Sequence, residues 1–67
     1  MKFVELHVRS YNEEDDKFTK SVWYNISNIV GIEGDSDGSY IFTSDGYNRI
    51  VIETPEEVLN LIHKVNG

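Results

Sequence analysis

The chain is short, acidic and free of cysteine. Its 67 residues carry twelve Asp and Glu against six Lys and Arg, which gives a formal net charge of −6. A chain of this length forms one domain, residues 1–67, with a thin core, because so small a domain buries only about 60% of the surface that its unfolded chain exposes. The absence of cysteine excludes disulfides and thiolate metal sites. The basic residues are scattered singly, so direct binding to nucleic acid or to an anionic membrane is disfavoured.

The sequence contains no pattern typical of a targeting or membrane segment. Glu5, His7 and Arg9 interrupt the apolar residues near the N-terminus, whereas a signal peptide needs a continuous apolar stretch there. No stretch approaches the roughly 20 apolar residues that a membrane-spanning helix needs. We therefore expect a cytoplasmic protein.

Five short strands are predicted before residue 54. Residues 3–9 alternate between apolar and polar side chains, which is the period of a half-buried strand. Further strands are predicted at 21–25, 29–33, 39–44 and 49–53, with a turn or bulge at Ser27-Asn28 between the second and the third. We expect the strands to contribute these core residues: Val4, Leu6, Val8, Val22, Tyr24, Phe42, Ile50 and Ile52. The connections are too short for parallel crossovers, so the sheet should be antiparallel.

The C-terminal segment predicts a helix with a complete N-terminal cap. Thr54 is a suitable N-cap, Pro55 suits the first helical position and Glu57 completes a capping box. Val58, Leu61, Ile62 and Val65 then form one apolar stripe. The predicted fold class is α+β: an antiparallel five-stranded β-meander with one C-terminal α-helix packed on one face.

Two groups of residues indicate binding surfaces. An acidic run in a predicted loop, with aromatic residues on either side, is typical of a solvated segment that can attract a basic partner. Trp23 falls on the face opposite the predicted core, where an aromatic residue suggests an interface. The candidate partner-binding residues are Trp23, Tyr11, Phe18, Tyr47, Glu13, Glu14, Asp15 and Asp16. A homodimer that covers Trp23 is the simplest form of such an interface.

No catalytic, metal or cofactor site is predicted. His7 and His63 are the only histidines, and each is expected at the surface without the partner that a catalytic base requires. The segment Glu33–Gly38 resembles the first half of a calcium loop, but the expected ligand at its twelfth position is replaced by Ser44. We interpret that segment as a hairpin turn and expect no enzyme activity.

Three segments resemble the small FlbD-like proteins of Gram-positive bacteria and their phages. They are Met1–Leu6, Tyr24–Ile32 and Ile50–Ile62, which together cover 28 of the 57 residues outside the acidic 11–20 loop. The resemblance implies a shared fold and a phage or prophage setting, in which the cytoplasm would be that of the host cell. It brings no catalytic motif, and the 11–20 loop departs from the family pattern.

Three functions follow as hypotheses. The first is a non-enzymatic phage-type accessory protein that binds a partner protein through an acidic surface, for example as an inhibitor of a host or defence protein. The second is an oligomeric protein that binds a small molecule such as a nucleotide signal, with Arg9, Arg49, Trp23 and Tyr47 as its ligand-binding residues. The third is a structural or flagellar accessory protein.

Overall fold

The fold class predicted from the sequence is confirmed: five antiparallel strands form one sheet, and a C-terminal helix packs on it. The computed structural model describes residues 2–9, 19–36 and 38–66, without the side chains of Arg9 and Thr19. The strands are β1 (Phe3–Arg9), β2 (Thr19–Asn25), β3 (Ile29–Asp35), β4 (Gly38–Thr43) and β5 (Arg49–Val51), and the helix is α1 (Pro55–Asn66). In the described part of the chain, no helix is both long and apolar enough to cross a membrane.

The strand order across the sheet is β2-β1-β5-β4-β3, so β2 and β3 form its two edges. Strands that follow one another in sequence are paired, except that β2 and β3 are not. The two halves of the sheet are joined by β1 and β5, which pair through Val8 and Val51. A single 3₁₀ turn, Ile26–Asn28, joins the two edge strands.

That short connection requires the sheet to curl. The four residue steps from Asn25 to Ile29 span at most about 14 Å, whereas the edge strands of a flat five-stranded sheet are about 19 Å apart. The 3₁₀ turn is held by the Asn25 side chain, which accepts a hydrogen bond from the Ser27 amide at 3.1 Å, and by the Ile26 amide, which donates to the Lys2 carbonyl at 3.0 Å. The two edges therefore approach each other where β2 ends and β3 begins.

The helix begins as the sequence predicts. The Thr54 amide donates to Glu57 Oε1 at 3.0 Å, and the Glu57 amide donates to Thr54 Oγ1 at 3.2 Å, which is the reciprocal capping box. The bond from the Thr54 amide is the main reason why the pKa of Glu57 is lowered, and the Thr54 side chain acts in the same direction. Val58 on the apolar stripe is fully buried, and Leu61 and Ile62 pack beside it against the sheet.

The inward-facing residues of β4 and β5 differ from the prediction by one position. Ile41 and Val51 are fully buried, whereas Phe42 and Ile50 are only half-buried and Ile52 is exposed. The prediction of Phe42, Ile50 and Ile52 as core residues was wrong. The observed core is Val4, Leu6, Tyr24, Ile41, Val51 and Val58.

Hydrogen bonds explain why polar residues occupy the inner face of β4. Ser39 and Thr43 are both buried and lie on the same face as Ile41. Ser39 Oγ donates to the Glu53 carbonyl at 2.7 Å, and Thr43 Oγ1 donates to Asp45 Oδ1 at 2.7 Å, so neither hydroxyl is buried without a partner. The outer face then carries the larger side chains.

The outer face of β4 has its own apolar pair. The rings of Tyr40 and Phe42 stack with their centroids 4.9 Å apart, and Tyr40 is paired across the strands with Ile50. In β3, a bulge between Ile29 and Gly31 breaks the alternation. The bulge leaves Ile29 and Ile32 against the core and exposes Val30, which strict alternation would have placed beside Ile32.

Candidate functional site

The curled sheet brings together three of the four residues that the sequence assigns to ligand binding. Trp23, Tyr47 and Arg49 line one cleft with Phe3. Trp23 is 61% exposed and Tyr47 is 70% exposed. The side chain of Arg9 and the partner-binding candidates Tyr11, Glu13, Glu14, Asp15, Asp16 and Phe18 lie outside the described residues. We call this site the aromatic cleft and define it by Phe3, Trp23, Tyr24, Asp45, Tyr47 and Arg49.

One side of the aromatic cleft is β2 and the other is the turn between β4 and β5. Asp45 fixes that turn: its Oδ1 accepts from Thr43 Oγ1 at 2.7 Å and from the Tyr47 amide at 3.4 Å. Gly46 supplies the positive φ of +85° that the turn requires. The hydrogen bond from Thr43 is the main reason why the pKa of Asp45 is lowered, so its carboxylate is ionised at neutral pH.

Tyr24 lines the aromatic cleft and contains an unusual polar atom. The residue is only 7% exposed, and its hydroxyl is the one buried side-chain nitrogen or oxygen that lacks a hydrogen-bond partner among the described residues. Burial raises the pKa of Tyr24, and the positive charge of Arg49 offsets part of this effect. A buried hydroxyl without a partner costs free energy, and such groups often mark places where a water or a ligand binds.

A second concave site lies between β1 and α1. This groove has a volume of about 610 Å³. We call it the acidic groove, and its lining residues are Phe3, Val4, Glu5, His7, Glu53, Glu57, Asn60, Leu61, Lys64 and Val65. Three carboxylates and one ammonium group therefore line the groove together with apolar side chains.

A short ion pair fixes one end of the acidic groove. His7 Nδ1 lies 2.6 Å from Glu53 Oε2, and the His7 amide donates to Glu53 Oε1 at 3.0 Å. The hydrogen bond to Glu53 raises the pKa of His7, and the charge of Glu53 and the more distant Glu5, 3.9 Å from Nε2, act in the same direction. His7 is thus a half-exposed, paired histidine rather than the isolated surface histidine predicted from the sequence. Among the described residues, no Ser, Thr or Tyr hydroxyl donates a hydrogen bond to His7.

The acidic groove was not predicted from the sequence. His7 and Glu53 are 46 residues apart, and they meet because β1 pairs with β5, which the local pattern does not reveal. The only local signal was His7 on the polar side of its strand. The homodimer remains a prediction, since Trp23, on which it rests, is exposed in the single chain.

Among the residues that the structure describes, no group of three or more His, Asp or Glu side chains is arranged to hold a metal ion. The acidic groove and the aromatic cleft differ in chemistry, and Phe3 lines both. Comparisons of the chain with protein-family models, with curated proteins and with solved structures found no match.

Proposed function

We propose that this protein is a non-enzymatic binding module that takes a basic segment of a partner protein into the acidic groove. The observation that carries the proposal is that Glu5, Glu53 and Glu57 line the groove together with Phe3 and Leu61, whose partly exposed side chains provide apolar surface. Carboxylates beside apolar side chains are complementary to Lys or Arg side chains, whose aliphatic stems pack on apolar surface while the charged ends pair.

The charge of the whole chain supports the same type of partner. A net charge of −6 attracts a basic surface over distances up to about 10 Å at moderate salt, which raises the association rate more than the final affinity. Within the groove, Lys64 opposes the carboxylates and the paired His7 adds positive charge when protonated. Binding of a basic segment should therefore be stronger at pH 8 than at pH 6.

A phage-type accessory role agrees with this chemistry. The FlbD-like resemblance implies a phage or prophage setting, and a small acidic protein in that setting can occupy a basic functional surface of a host or defence protein. The contact would then act as inhibition by occupancy, with no reaction at the site.

Two peptides of identical apolar content test the proposal. One places Arg at alternate positions and the other places Glu there, and both carry a fluorescent label for anisotropy measurements. We expect saturable binding of the Arg peptide only, and an affinity that falls between low and physiological salt. Absence of saturable binding by the Arg peptide would contradict the proposal.

Matched charge variants locate the binding surface. Glu5→Gln removes one charge from the acidic groove, while Glu56→Gln removes one charge from an exposed residue that does not line the groove. We expect Glu5→Gln to weaken binding of the Arg peptide several-fold more than Glu56→Gln. Equal weakening by both variants would show that net charge alone attracts the peptide, and the groove would no longer be the proposed site. The same two variants can be used as baits in host lysate. A partner that binds the groove specifically is lost with Glu5→Gln and kept with Glu56→Gln, whereas proteins attracted by net charge alone are affected equally by both.

A further inference from the structure

We propose that the aromatic cleft binds a nucleoside or a nucleoside monophosphate, at a site separate from the acidic groove. Trp23 and Tyr47 both line the cleft and expose most of their side chains. Exposed aromatic rings are platforms for nucleobases, because every base has a face that can stack on them. The site therefore offers an aromatic surface at which one base can stack.

The size of the aromatic cleft limits the ligand. Its volume is about 260 Å³. Sites that bind drug-sized molecules usually have volumes of about 300–1,000 Å³, so the cleft is slightly smaller than these. A single base with its sugar is of the right scale, whereas a dinucleotide or a longer strand is not. The net charge of −6 also disfavours polyphosphates, whose several negative charges the chain repels.

The polar groups of the cleft match the polar groups of such a ligand. Arg49 supplies one positive charge for a phosphate or for sugar hydroxyls. Asp45 uses Oδ1 for Thr43 and Tyr47, which leaves Oδ2 available to accept an N–H of the base. One positive and one negative group suit a ligand with a donor edge and a single anionic group, and they do not suit a bare anion.

Tyr24 provides an independent observation that points to a ligand. Tyr24 lines the cleft, and its buried hydroxyl has no partner among the described residues. A polar atom of the bound sugar or base would supply the missing hydrogen bond. Because the hydroxyl is buried, a ligand reaches it only if neighbouring side chains of the cleft move aside.

Trp23 makes the test direct, because it is the only tryptophan of the chain. The intact protein is titrated with guanosine, GMP, AMP, UMP and ribose 5-phosphate, and tryptophan fluorescence is excited where the bases do not absorb. We expect saturable quenching by nucleosides and nucleoside monophosphates and none by ribose 5-phosphate. No saturable response to any base-containing ligand would overturn the proposal, and so would an equal response to ribose 5-phosphate, which would indicate an anion on Arg49 alone.

Three variants assign the contacts. Tyr24→Phe should weaken binding by about three- to tenfold, the effect of one hydrogen bond, while it raises the Tm of the free protein because the unpartnered hydroxyl is gone. Arg49→Gln should weaken the binding of GMP more than the binding of guanosine. Glu56→Gln, at an exposed residue that lines neither the acidic groove nor the aromatic cleft, should leave nucleotide binding unchanged. Binding of the Arg peptide is measured separately, so a failure here is distinct from a failure of the protein-binding proposal. Unchanged binding in both Tyr24→Phe and Arg49→Gln would place the ligand outside the aromatic cleft and refute the assignment.

Discussion

Gly38, the first residue of β4, occupies the most crowded glycine position in the described sheet. Its φ is +147°, a conformation that residues with a side chain rarely adopt. A Cβ atom at this position would lie 2.0 Å from the carbonyl oxygen of Val51 and 2.9 Å from the carbonyl carbon of Ile52, where real Cβ contacts are essentially never below 3.0 Å. Gly38→Ala therefore requires the backbones of β4 and β5 to separate by about 1 Å.

The magnitude follows from the two costs together. The unfavourable backbone conformation costs about 1–3 kcal/mol. The separation also disturbs the pairing of Ser39 with Val51. Val51 is fully buried and pairs with both β1 and β4. A 67-residue domain has a free energy of unfolding of only about 3–10 kcal/mol. We expect Gly38→Ala to lower the free energy of unfolding by at least about 3 kcal/mol, which is all of the stability at the lower end of that range and about a third of it at the upper end.

Urea unfolding followed by circular dichroism measures this loss, and two other glycines are matched controls. Gly46→Ala also has a positive φ, +85°, but no atom lies within 4 Å of its added Cβ, so it should cost about 1–2 kcal/mol. Gly34→Ala has no positive φ and meets only Pro55 at 3.5 Å, an ordinary contact, so it should change stability by about 0.5 kcal/mol or less. If Gly38→Ala were no more destabilising than Gly46→Ala, the close approach of β4 to β5 would be refuted.

Two further predictions address the core and the ion pair. Ile41→Ala should lower the free energy of unfolding by about 2–5 kcal/mol. This loss should exceed that of Phe42→Ala, because Ile41 is fully buried and Phe42 is on the outer face. Urea unfolding measures both losses, and a larger loss for Phe42→Ala would support the inward face predicted from the sequence. The folded-state pKa of His7 is raised above 6.5 by Glu53, so this pair stabilises the protein fully below pH 6.5 and less as pH rises through the folded-state value. Glu53→Gln should flatten the stability profile between about pH 6 and pH 8, and should lower the pKa of His7 in an NMR titration; a profile with the same slope in both proteins would contradict the pairing.

Features set by neighbouring residues were predictable from the sequence. The capping box of α1 depends on Thr54 and Glu57, three positions apart, and both of its hydrogen bonds form. The alternation of β1 likewise placed Val4 and Leu6 correctly in the core. In each case the pattern and the physical cause lie within a few residues of each other, so tertiary contacts had little to override.

The inward face of β4 could not be predicted for the opposite reason. Both faces of this strand carry apolar side chains, and Phe42 is larger than Ile41, so residue type alone favours the wrong face. The choice depends on Ser39, whose hydroxyl is acceptable in the core only because the Glu53 carbonyl lies 2.7 Å away. That partner is fourteen residues distant along the chain, and its position depends on the whole sheet. The acidic groove was missed for the same reason.

The aromatic cleft arises because the short 3₁₀ turn makes the sheet curl without closing. β2 is an edge strand and is separated from β4 in the strand order, yet Trp23 of β2 and Tyr47 of the β4–β5 turn line one cleft. Only a curled sheet brings these elements together. Tyr24 lies on the same edge strand, and its buried hydroxyl has no hydrogen-bond partner among the described residues. The geometry that allows so short a chain to enclose a core therefore also leaves a concave, partly polar site at the incomplete edge, and this concavity is the reason for proposing ligand binding there.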